Sequence, residues 1–171
     1  MRTLLLLRHA KSSWGDPGLD DHDRPLNKRG ARDAPRVGTY LAKHDLRPDL
    51  ILCSDAVRTR ATLALLLSAL GGATPKVVFE PRLYLAEPAA ILEVLARVDP
   101  AVGCCLVVGH NPGTHALALG LVADGDGDSL CELAMKFPTA ALAVIEFDAP
   151  DWKTLEPGGA RLRAFVTPRD L

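Results

Sequence analysis

The chain has 171 residues, enough for one domain, residues 1–171, built around a single substantial core. Hydrophobic residues make up 48% and charged residues 24%, which argues against a disordered chain, and a 5% aromatic share argues against a stacking platform for single-stranded nucleic acid. With a formal net charge of -1 there is no basic run to neutralise a duplex, so anion binding is expected in a local pocket, with no nucleic acid as partner.

Thr3 to Leu7 predicts a buried first strand that runs straight into Arg8-His9-Ala10-Lys11-Ser12. Its apolar part is far too short for a signal segment or a membrane span, and nothing later reaches span length, so a cytoplasmic protein with no membrane partner is expected. A polar loop, Ser12 to Leu26, follows, and Asn27 can cap a helix running to about His44, with Pro35 expected to kink it or move its start. Asp49 to Cys53 reads as a second strand buried on both faces, with Ser54-Asp55 capping a helix from Ala56 to Leu70 that stops at Gly71-Gly72. Lys76 to Phe79 predicts a third strand. An irregular stretch from Glu80 to Glu87 precedes a helix that Pro88 can begin and that continues from Ala89 to Val98.

Cys104 to Val108 predicts a fourth strand, and Asn111-Pro112-Gly113 opens a helix to about Val122, with Asn111 as the expected cap. Asp124 to Asp128 reads as a flexible loop. The interval and side chains of this acidic run fail the EF-hand pattern, since Ser129 and Met135 stand where Gly and Glu are needed. Ala140 to Phe147 reads as a strand and Arg161 to Thr167 as a last edge strand. Strands alternating with helical stretches predict an α/β fold, a three-layer α/β/α domain with a mostly parallel sheet and one or two antiparallel strands. Cys53, Cys104, Cys105 and Cys131 lack paired metal-ligand spacing and are expected as reduced core thiols.

Chemistry concentrates at three strand ends: Arg8-His9 after the first, Arg58 four residues past Ser54, and His110 after the fourth. In a parallel sheet these ends share one edge, so two arginines and two histidines gather in one pocket if the strands are neighbours. Arginines would then hold phosphoryl oxygens while an unprotonated imidazole attacks phosphorus. The competing reading is a set of strand ends finished with solvated polar residues. A Walker loop is absent, and Cys53 to Arg58 falls one residue short of the cysteine-phosphatase spacing.

The blocks Leu6 to Ser12, Asp21-His22-Asp23-Arg24-Pro25-Leu26 with Arg29-Gly30, Ser54 to Thr59, and Val107 to Gly113 resemble, in order, the histidine phosphatase superfamily that includes phosphoglycerate mutases. Similarity is greatest to its short SixA-type phosphohistidine phosphatases. That resemblance implies His9 as the phosphorylated nucleophile, Arg8, Arg58 and His110 as the phosphate pocket, and Asp21 and Arg24 beside it, with His22 merely exposed. It implies a phosphorylated protein or a small phospho-compound as partner, with no cofactor and no metal. The larger members' acidic residue has no clean match: Glu87 is the first candidate proton donor and Asp21 the second, and a displaced acid suits a good leaving group such as phosphohistidine. The alternatives are a small-molecule phosphomonoesterase of the same family and a non-catalytic module that binds phospho-ligands.

Overall fold

The computed structural model describes residues 1–171 as one seven-stranded sheet flanked by five α-helices. The strands are β1 (Arg2–Arg8), β2 (Leu50–Cys53), β3 (Lys76–Phe79), β4 (Cys104–Gly109), β5 (Val122–Gly125), β6 (Leu142–Phe147) and β7 (Ala160–Val166). The helices are α1 (Lys28–Lys43), α2 (Val57–Leu70), α3 (Pro88–Leu95), α4 (Gly113–Leu121) and α5 (Gly127–Met135). Sheet order is β3-β2-β4-β1-β6-β7-β5, parallel throughout except where β6 runs against both β1 and β7.

The leucines of β1 explain the layering. Successive side chains point to opposite faces, so Leu4 and Leu6 enter one core while Leu5 and Leu7 enter the other, all four without exposed surface. Ala34, Val37 and Leu41 of α1 recur at helical spacing and, with Leu63, Leu66 and Leu70 of α2, cover the Leu5 face. Ile91 and Leu95 of α3, Leu117 and Leu121 of α4 and Leu133 of α5 cover the Leu4 face. No helix is long and apolar enough to cross a membrane.

Asn27 caps α1 as expected, accepting from the Gly30 amide at 2.9 Å, and the helix continues through Pro35. Four expectations need correction. The single expected core is two clusters, one on each face of the sheet. Asp124 to Asp128 is no flexible loop: β5 ends at Gly125, and Asp126 caps α5 by accepting from the Ser129 amide at 3.0 Å. Gly125 allows the close pairing, because a Cβ there would stand 2.7 Å from the Leu162 carbonyl oxygen. Consequently β7 is not the sheet's edge, since β5 pairs in parallel beyond it. Cys131 is exposed rather than a core thiol, because it lies on the outer part of α5.

Candidate active site

β4 lies between β1 and β2, and the register sets Leu7 and Cys53 level with Val108 on either side. Hydrogen bonding continues past the strand ends, with the His9 amide donating to Gly109 and the Ser54 amide donating to Val108. The three carboxyl ends therefore open on one cleft of about 170 Å³, whose walls include Arg8, His9, Asp21, Arg24, Arg58 and His110.

His9 is buried at its floor. Its Nδ1 lies 2.7 Å from the Ala10 carbonyl, which only accepts, so the ring proton belongs on Nδ1 and the lone pair on Nε2. Arg58 Nε donates toward that Nε2 at 3.4 Å. Burial first, then the charges of Arg58, Arg8 and Arg24, lower the His9 pKa to about 4, leaving the imidazole neutral at pH 7. His110 is fixed in the same way: Arg58 donates to Nδ1 at 3.2 Å, so Nε2 carries the proton and donates a hydrogen bond to Ser54 Oγ at 2.7 Å. Burial and the nearby His9 and Arg58 lower its pKa to about 3.

Arg58 is 2% exposed although it begins a helix, because that end of α2 points into the cleft. It donates to the Asp21 carbonyl at 2.6 Å and to Asp21 Oδ2 at 3.0 Å. Arg8 donates to the Phe137 carbonyl at 2.9 Å, while its buried Nε has no partner within the chain. Burial, followed by repulsion from Arg58, lowers the Arg8 pKa. A donor left unmatched between cations suits an anionic ligand.

Asp21 joins two arginines: Arg24 Nε donates to Oδ1 at 3.1 Å, and Tyr84 adds its hydroxyl at Oδ2. The Tyr84 hydrogen bond and those from Arg58 and Arg24 hold the carboxyl at about 2, so it carries no proton to donate at neutral pH. Arg24 is further fixed by Ser12 Oγ at 2.7 Å and by the Trp14 ring, whose centroid is 3.5 Å from the guanidinium carbon. Glu87 stands apart: it is exposed at the N-cap of α3 and outside the cleft's lining.

The expected helix caps serve the site instead. Ala56 holds the N-cap position of α2, Ser54 Oγ accepts a hydrogen bond from His110 Nε2, and Asp55 faces His22 Nε2 at 3.0 Å. Asn111 lies one residue before the N-cap, Pro112, and its amide donates to the Phe137 carbonyl that also receives Arg8. Tyr84 was not singled out in the sequence, nor was Trp14, although a tryptophan in an Asp- and Gly-rich loop beside the Arg-His block was a readable signal. His22 is partly covered, packing edge-on against Tyr84 at 4.8 Å.

Residues 4–84 match the model of the histidine phosphatase superfamily, branch 1. An uncharacterized protein of Mycobacterium tuberculosis is 41% identical over 165 residues, spanning 95% of this chain and 100% of its own. Among solved structures, a candidate phosphohistidine phosphatase SixA from Agrobacterium tumefaciens is 33% identical, covers 98% of each chain and superposes with a TM-score of 0.82. A second of the same description from Nakamurella multipartitia is 33% identical over 98% of this chain and 96% of that one, with a TM-score of 0.84.

Proposed function

Because the chain belongs to the histidine phosphatase superfamily, we propose that it is a metal-independent phosphatase that passes the phosphoryl group through His9 and takes it from protein phosphohistidine. The observation that carries this reading is the tautomer of His9. With Nδ1 tied to the Ala10 carbonyl, Nε2 presents its lone pair beside Arg58 and within the same cleft as Arg8 and His110.

His9 Nε2 attacks phosphorus as the bond from phosphorus to the leaving nitrogen breaks, and the departing imidazole keeps that electron pair and takes a proton from solvent. Arg8 and Arg58 neutralise the phosphoryl oxygens, and Ser54 holds His110 in place beside them. Water then attacks the phosphoryl group on His9, the bond from phosphorus to Nε2 breaks, and phosphate leaves with the protons of that water. Among the residues lining the cleft the only carboxylate is Asp21, which is ionised, and Glu87 lies outside that lining. That arrangement favours an imidazole leaving group, which departs with less proton assistance than an alkoxide.

Incubation with a phosphohistidine-bearing protein should release phosphate in the presence of a chelator and allow an acid-labile phosphoryl group to be trapped on His9. His9→Ala should lower turnover by about three orders of magnitude or more and abolish the trapped species. Full activity in His9→Ala would overturn the mechanism. Faster turnover of sugar phosphates would reassign the substrate to small phosphomonoesters, and phosphate binding without any release would make the chain a binding module.

A further inference from the structure

Two apolar side chains, Trp14 and Leu85, line this otherwise polar cleft. Trp14, in the loop after β1, is 72% exposed, and Leu85, in the connection from β3 to α3, is 51% exposed. Neither is gaining much from burial. Trp14 is nonetheless held: one face covers the Arg24 guanidinium, which Asp21 and Ser12 fix in turn, and its exposure leaves the other face to solvent. Leu85 has a φ of 48°, in the left-handed region that disfavours any residue with a Cβ. A strained backbone that keeps a leucine half in water contributes nothing evident to folding, and such outliers gather at working sites.

In-line displacement fixes where the leaving group must lie. His9 attacks from the floor, so the departing atom stands on the far side of phosphorus, toward the mouth where Trp14 and Leu85 are exposed. We infer that Trp14 and Leu85 are specificity-determining residues that grip the leaving group, and that the group they select is a planar ring of imidazole size. A ring can stack on the free face of the indole, continuing the pile that begins with Arg24, whereas an alkyl or sugar group has no π-face to offer. Leu85 bounds the same space with an apolar surface. This role rests on the reading of the cleft as a phosphate pocket.

Phenylphosphonate and methylphosphonate test it without any turnover, because their phosphorus–carbon bonds are not cleaved. Calorimetry on the full chain should show that phenylphosphonate binds more tightly, and that Trp14→Ala lowers the phenyl-over-methyl affinity ratio by about tenfold while Trp14→Phe restores most of it. Leu85→Gly should also lower that ratio without lowering the thermal midpoint, since glycine accepts the left-handed backbone. An unchanged ratio in Trp14→Ala would overturn the inference while leaving the phosphate pocket standing. Failure of the wild-type chain to bind either phosphonate would overturn both.

Discussion

Burial and three guanidinium groups act in the same direction on His9, and they decide how the molecule responds to acid. Its pKa of about 4, that of about 3 for His110 and that of about 2 for Asp21 all lie below the values an unfolded chain would have. Between about pH 6.5 and 4 the unfolded chain therefore binds more protons on the two histidines than the folded one, and stability rises with pH across that window. The contribution of Asp21 is present above its ordinary range and is lost as pH falls toward about 2. Urea midpoints measured across this range should fall on acidification, and replacing both histidines by Gln should flatten the slope between 6.5 and 4. A wild-type midpoint independent of pH there would contradict the neutral imidazoles. At this scale the sequence was informative about Arg8, His9, Arg58 and His110, whose types declare their chemistry at strand ends. It was silent about Ser54, whose hydroxyl looks like a helix cap until the His110 ring is placed 2.7 Å away.

The elements meet through backbone contacts that leave no room for a side chain. A Cβ on Gly113 would stand 1.7 Å from the Ala86 carbonyl oxygen, and one on Gly30 would stand 2.2 Å from the Lys11 carbonyl oxygen. Gly113 thereby presses the start of α4 onto the segment that carries Tyr84 and Leu85. Gly113→Ala must push that segment away, with an expected loss of about 1–3 kcal/mol in chemical denaturation and a reduced preference for phenylphosphonate. Unchanged stability would mean that the contact relaxes at no cost. The strands β1, β2 and β4 were legible because each is a nearly unbroken apolar run, as burial on both faces requires. β5 was not, because Val122 to Gly125 is short, partly acidic and paired on one side only, and the Asp126 that caps α5 resembles a loop residue.

Across the whole molecule, the placement of the site depends on strand order, which local sequence does not encode. Arg8, Arg58 and His110 converge because β4 enters between β1 and β2, although it follows them in the chain. One or two antiparallel strands were expected, but that β6 is the one that reverses was not, since an apolar strand reads the same in either sense.

β1 is bonded along both edges, by β4 and β6, and the pairing reaches beyond its end, with the amides of Arg8 and His9 donating to Ala141 and Gly109. Hydrogen exchange should resolve two tiers of motion here. Amides from Leu4 to His9 should exchange only with global unfolding, while those near Trp14 and Leu85 should open locally and far faster. Comparable protection in both tiers would contradict this division. If His9 is the nucleophile we propose, the wall that meets the incoming molecule can then reshape itself while the attacking nitrogen stays anchored to the slowest-opening part of the chain.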